Sequence, residues 1–189
     1  MDNTLINYER AVLQWVKANN IEMVNSMQEL RDFYHKSGDY ANDWLHVQEW
    51  LYTEGLSFAD LTEGAEEILG KIQANGFSII IVSHKSKYSA RNFLNLHSPA
   101  LDWLASTFLA HGIEFDLERN LFLEQNRNEK ILRIKRENVT YFVDDLIDVF
   151  LEPLFPTEIN CFWLTHEPRE TVPEFIIPIS SLKELVVYV

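Results

Sequence analysis

NVTYFVDDLID, residues 138–148, is the stretch on which the fold turns. Its first part is short, β-branched and aromatic, the pattern of a strand buried on both faces as in a parallel sheet. Its second part sets Asp144, Asp145 and Asp148 within five residues as the chain leaves that strand for a helix. Side chains that end parallel strands lie at the carboxyl edge of the sheet, where open α/β folds bind ligands. One Asp in that place is an ordinary helix cap. Three repel one another unless a cation sits among them, and hard oxygen donors suit Mg²⁺.

The same strand pattern recurs in FSIIIVS (77–83) and INCFWLT (159–165). Helices are predicted between them: 63–76, ended by Asn75-Gly76; one from Ser98-Pro99 to His111-Gly112; and one from Asn128 to about Arg136. GIEF (112–115) and NLFLE (120–124) read as short strands. Ser181-Leu-Lys-Glu reads as a capping box before a last helix. Alternation of strand and helix implies βαβ units, hence an α/β fold with a helix-covered parallel sheet. The first 60 residues differ. Helices are predicted over 8–20, after the box formed by Ser26 and Glu29, and over 41–53 with Gly55 as its stop.

Composition limits the function. The chain has 189 residues, 47% hydrophobic and 13% aromatic, enough for a sizeable core. Its net charge of −13 argues against nucleic acid or an anionic membrane as partner, since both need a basic footprint. No apolar run is long enough to span a bilayer, and no signal-peptide pattern opens the chain. With the single cysteine, Cys161, read as a core thiol, a cytoplasmic location is expected.

Other candidates stand on two readings each. Ser83 ends a strand before His84-Lys85-Ser86-Lys87; it is either a helix cap or a hydroxyl donor to an anion beside a cation and backbone amides. Lys130 falls in the first turn of its helix, where the helix dipole disfavours a cation; it is either a solvated residue or one placed there for a ligand. Lys85, Lys87 and Arg91 could steer an anion or form a solvated face. Trp15, Tyr40, Trp44, Trp50 and Tyr52 could face a substrate, or pack the helical segment. His35, His46, His97 and His111 show no metal-like spacing.

In order, these pieces resemble the haloacid dehalogenase superfamily, mostly Mg²⁺-dependent phosphatases. The family's first motif is Asp-x-Asp-x-Thr after a hydrophobic strand, and Asp2-Asn3-Thr4-Leu5 matches its second half. IIIVSHKS with Ser83 resembles the second motif, Lys130 the third, and FVDDLID the fourth. The resemblance implies a Rossmann-like three-layer core (1–7 and 61–189) with a small helical cap (8–60). It implies Asp2 as general acid and base, Lys130 as the residue neutralising the phosphoryl group, and Thr4, Ser83, His84 and Lys85 around the phosphate. Asp144, with Asp148 or Asp145, would hold Mg²⁺. The substrate class implied is a small phosphorylated metabolite.

In that alignment Met1 takes the middle position of the first motif. The attacking carboxylate and its strand would precede it, so the expectation is a start of translation upstream. An inactive phosphate- or partner-binding protein is the alternative. Dehalogenation by the same nucleophile needs no metal, so the acidic cluster argues against it.

Overall fold

The computed structural model describes residues 1–36, 40–166 and 172–189, the side chain of Tyr40 excepted. It is an α/β structure containing small parallel sheets. β3 (Ile81–His84) pairs in parallel with β4 (Leu121–Glu124), Ser83 opposite Leu123. β5 (Tyr141–Asp144), β6 (Asn160–Leu164) and β7 (Ile176–Ile179) form a second parallel sheet in that order. A third sheet is an antiparallel ribbon, β1 (Ile6–Asn7) against β2 (Asp60–Leu61).

The ribbon marks where the helical segment leaves and rejoins the rest. Between its strands run α1 (Glu9–Ala18), α2 (Met27–His35), α3 (Tyr40–Leu51) and a 3₁₀ turn at Glu54–Phe58. The Ser26 hydroxyl accepts from the Glu29 amide, as the sequence predicts, but the Glu29 carboxylate returns to the Asn25 amide rather than to Ser26. Gly55 lies inside the 3₁₀ turn and does not stop α3. A Cβ there would come within 2.9 Å of the Trp50 ring, so the glycine lets that ring lie against backbone. Trp15 is buried edge-on to His46 and near Trp50, and its indole donates to the Tyr34 hydroxyl at 3.1 Å. It is therefore core of the helical segment.

After the ribbon come α4 (Ala65–Ala74), β3, α5 (His97–Ala110), a short α6 (Leu117–Asn120), β4, α7 (Arg127–Arg136), β5, α8 (Ile147–Phe150), β6 and β7. A 3₁₀ segment, Leu182–Val187, replaces the expected C-terminal helix; Ser181 and Glu184 form its capping box. Several boundaries shift. Asp116 caps α6 where GIEF was expected to be a strand. Asn126, not Asn128, caps α7 by accepting from the Glu129 amide. Ser98-Pro99 lies inside α5, not at its cap.

The largest shift concerns FSIIIVS. Only Ile81 onward is strand; Phe77 turns its amide back to the Ile72 carbonyl at 3.1 Å. The apolar run instead lines a cleft of about 310 Å³ between β3 and β5. Ile79, Val82, Phe142, Val143 and Leu185 form its walls, and Met1 and Asp144 also line it. Among the described residues no backbone hydrogen bond crosses from β3 to β5.

Strand geometry assigns the amides. Lys85 donates to Glu124 and Asn160 to Thr140, so residues alternating with those, Val82 and Val143, turn their N–H groups toward the cleft. By hydrogen-exchange NMR, the Val82 and Val143 amides are expected to exchange at least about tenfold faster than those of Ser83 and Phe142. Equal protection would show that the cleft is closed in solution.

Candidate functional site

Residues 1–6 form a tight turn that positions two side chains. The Met1 carbonyl accepts from the Leu5 and Ile6 amides, and Asn3 donates to the Ile6 carbonyl. Asn3 sits at φ 57°, a left-handed conformation that Asn tolerates better than most residues. This sets Asp2 and Thr4 on one side. Thr4 is buried and donates from its hydroxyl to Asp145 Oδ1 at 2.8 Å, bridging 141 positions of sequence.

Asp144 ends β5, and Asp145 follows it out of the sheet. Asp144 is only 3% exposed. One of its oxygens accepts from the Leu146 amide, and the other is in a close ion pair with Lys130, 2% exposed. Lys130 occupies the fourth position of α7, its ammonium also lying over the Phe142 ring at 5.6 Å. A cation in a first helical turn is disfavoured by the dipole; its burial against Asp144 explains the placement. The "solvated lysine" reading is excluded by that burial.

Asp145 carries the strain of the cluster. Burial, and then the neighbouring Asp144 carboxylate, push its pKa above the ordinary carboxylate value, against the Thr4 hydrogen bond that lowers it. Asp2 shows the reverse outcome. Burial would raise its pKa, but Lys85, the Met1 amine and the Tyr8 hydrogen bond outweigh burial and hold it low. His84 is half-buried and kept toward its neutral form by burial first and Lys130 second. Ser83 is buried at the end of β3.

The structure thus gathers Asp2, Thr4, Lys85, Lys130, Asp144 and Asp145 about the strand ends, with Ser83 and His84 closing β3 beside them. It does not gather Asp148. Spacing alone puts Asp144 and Asp148 on one helical face, but α8 begins only at Ile147, so Asp144 is strand and the spacing does not apply. Asp148 is exposed and lies 3.9 Å from Arg127. Asp145, which follows Asp144, instead lies among these groups through its hydrogen bond from Thr4. Of the aromatic candidates, Tyr52 reaches the site, Trp44 and Trp50 are half-buried elsewhere in the helical segment, and the Tyr40 side chain lies outside the described residues. Lys87 and Arg91 are exposed. Tyr8, which sequence reasoning missed, gives Asp2 its shortest hydrogen bond, 2.6 Å; no motif position marks it. Cys161 is a buried thiol with a pKa pushed up to about 11 by burial and then Glu158, as a core cysteine should be.

Among the described residues, no group of three or more His, Cys, Asp or Glu side chains converges as a ready-made metal cage. Mg²⁺ does not require one. It commonly takes one or two carboxylates and completes its shell with water and substrate phosphate. Asp144 and Asp145 are the two carboxylates adjacent at this strand end; both oxygens of Asp144 already have partners, and burial first, then the Asp144 charge, raises the Asp145 pKa. No described helix is long and apolar enough to cross a membrane. The chain matches no protein-family model, no curated protein and no solved structure.

Lys130→Met is expected to lower stability by about 3–5 kcal/mol, because it leaves a buried carboxylate unpaired. Lys130→Met combined with Asp144→Leu should recover most of that loss; chemical denaturation of the two variants measures it.

Asp145→Asn should act oppositely. A raised native pKa means the folded state binds its proton more tightly than the unfolded state. Ionised Asp145 therefore costs stability above its native pKa, and the cost fades as pH falls through that value. In metal-free buffer at pH 7, Asp145→Asn is expected to raise Tm by roughly 2–4 °C. The gain should vanish toward pH 4, as calorimetry at both pH values would show.

Proposed function

We propose that the protein is a Mg²⁺-dependent phosphohydrolase of a small phosphorylated metabolite, built on the haloacid dehalogenase plan. One observation carries this reading. A hydroxyl, an amine and two acidic groups from positions 4, 130, 144 and 145 meet at the carboxyl end of β5, the first three buried and Asp145 half-buried. Such a grouping has little value to a core, where apolar residues of the same size serve as well or better. It suits a dianionic phosphoryl group, which needs neutralising charge and donors held in place.

In this reading Ser83 and Thr4 present hydroxyls to the phosphate oxygens. Lys130, already fixed by Asp144, offsets the charge of the transferring group. Asp2 handles the proton that leaves water or joins the departing oxygen. Mg²⁺, held by Asp144 and Asp145, would supply Lewis-acid polarisation of a phosphoryl oxygen. On this plan β3 and β5, which lie in separate sheets on either side of the cleft, would be strands of one Rossmann-like sheet, and residues 8–60 would form the cap that shapes specificity, with Tyr52 its contribution to the site.

The attacking carboxylate of the family's two-step displacement would sit immediately before Met1. A second reading, non-catalytic phosphate binding, is favoured by one feature. Asp2, Asp144 and Asp145 already have partners in Lys85 and Tyr8, in Lys130, and in Thr4, respectively.

Intact mass of the protein from its native source identifies the residue before Met1. Phosphate release from a panel of phosphoesters is then measured on the 189-residue chain and on a version extended upstream by a strand ending in Asp. Mg²⁺-dependent turnover by the extended form, abolished by EDTA, is expected. Orthophosphate binding without turnover in either form would establish the second reading, and absence of both would refute the two together.

A further inference from the structure

Lys85 was expected beside the phosphate; its surroundings point elsewhere. The residue is 5% exposed, and its ammonium lies 3.0 and 3.2 Å from the two carboxylate oxygens of Asp2. The same ammonium sits 3.5 Å from the centroid of the Tyr52 ring. Its donors are therefore turned to a carboxylate and an aromatic face. The backbone of Lys85 is held as well. Its amide donates to the Glu124 carbonyl at the end of β4, 3.1 Å away. Its carbonyl lies 2.7 Å from His97 Nε2, and since a carbonyl only accepts, that ring nitrogen carries the proton. On the other side of Asp2, the buried Tyr8 hydroxyl donates to Oδ1. Residues 2, 8, 52, 85 and 97 thus come from separate segments to fix one carboxylate.

We propose that Lys85 is a positioning residue for Asp2 and not a phosphate ligand: with Tyr8 it orients the carboxylate that transfers the proton, while the Tyr52 ring holds the ammonium in place. This rests on the reading of Asp2 given above. Its chemical content is that Asp2 is pointed by two donors, which favour its carboxylate form: the form that, once the proton has gone to the departing oxygen, accepts a proton from water. The charged and titratable groups facing Asp2 are Lys85 after β3, the Met1 amine, Tyr8 ahead of α1 and Tyr52 after α3; burial and the Asp2 charge both raise the Tyr52 phenol, so it stays protonated.

The test needs no turnover. In the 189-residue chain, the Asp2 carboxyl is titrated by ¹³C NMR, assigned by its loss in Asp2→Asn, and orthophosphate affinity is measured by ³¹P NMR. Lys85→Met is expected to move the Asp2 midpoint upward, Lys85→Arg to return it toward the wild-type value, and Tyr8→Phe to move it upward by less. Orthophosphate affinity in Lys85→Met should stay within about twofold of wild type. A phosphate ligand would lose roughly tenfold or more, the effect of one charged hydrogen bond. Such a loss, or an Asp2 midpoint unmoved in Lys85→Met, overturns the proposal. If Lys85→Met does not fold, Tyr8→Phe and Lys85→Arg decide by the same midpoint. If the wild-type chain binds no orthophosphate, the Asp2 midpoint alone decides whether Lys85 holds the carboxylate, and turnover by the extended form decides the phosphohydrolase reading.

Discussion

The buried pair between Lys130 and Asp144 is the contact around which the site is organised. A lone ammonium or carboxylate could not stay at 2–3% exposure; each is tolerable only because the other is there. The pair joins the first turn of α7 to the end of β5. It thereby fixes where Asp145 leaves the sheet, and Asp145 in turn receives Thr4 from the amino-terminal turn. Lys85 and Asp2 repeat the device on the β3 side, with Tyr8 as a further donor. Two buried lysines holding two aspartates make a polar floor at the strand ends, in a molecule whose net charge is −13. The excess acidity lies largely elsewhere, on exposed helices, so overall charge says little about the field at this floor.

Much of this was readable from the chain. Short β-branched runs place β5 and β6 because only a strand buried on both faces is that apolar for so few residues. The caps at Ser26 and Ser181 follow from side-chain chemistry that acts within three residues. Lys130 stood out because its position conflicts with the helix dipole, and a conflict of that kind marks a residue with a distant partner. What was not readable involves such partners. FSIIIVS is mostly apolar, but apolarity reports burial and not pairing; its first half is spent on the cleft wall. Asp148 was favoured over Asp145 because the register of a helix was carried back into a strand. β7, IIPI, escaped because Pro178 argues against a strand, and it is admitted here only because β7 is the outer strand of its sheet. Tyr8 and Lys85 hold Asp2 from positions 8 and 85, and nothing local to either announces it.

The helical segment is tied to the rest by more than the ribbon. Arg10 reaches Asp60 across it, and the Trp103 indole of α5 donates to the Ala59 carbonyl. Glu49 of α3 accepts from the Asn92 amide group in the loop that follows Lys85. These contacts bracket Tyr8 and Tyr52, the residues at the beginning and end of the segment that meet Asp2 and Lys85. Among the described residues the segment reaches the polar floor through its two roots, while its own interior is packed around Trp15 and Leu30.

The bond from Thr4 to Asp145 has a consequence for how the molecule comes into being. It closes a loop of 141 positions, whose entropic cost must be met by contacts made in between. During synthesis the first residues emerge long before their partner does. The turn at residues 1–6 can form early and Asp2 finds Tyr8 and Lys85 soon after, but Thr4 has no acceptor until β5 and the residue after it have been made. The Thr4–Asp145 side of the site is thus completed late: a molecule arrested before residue 145 already contains Asp2, Tyr8 and Lys85 and lacks the acceptor for Thr4.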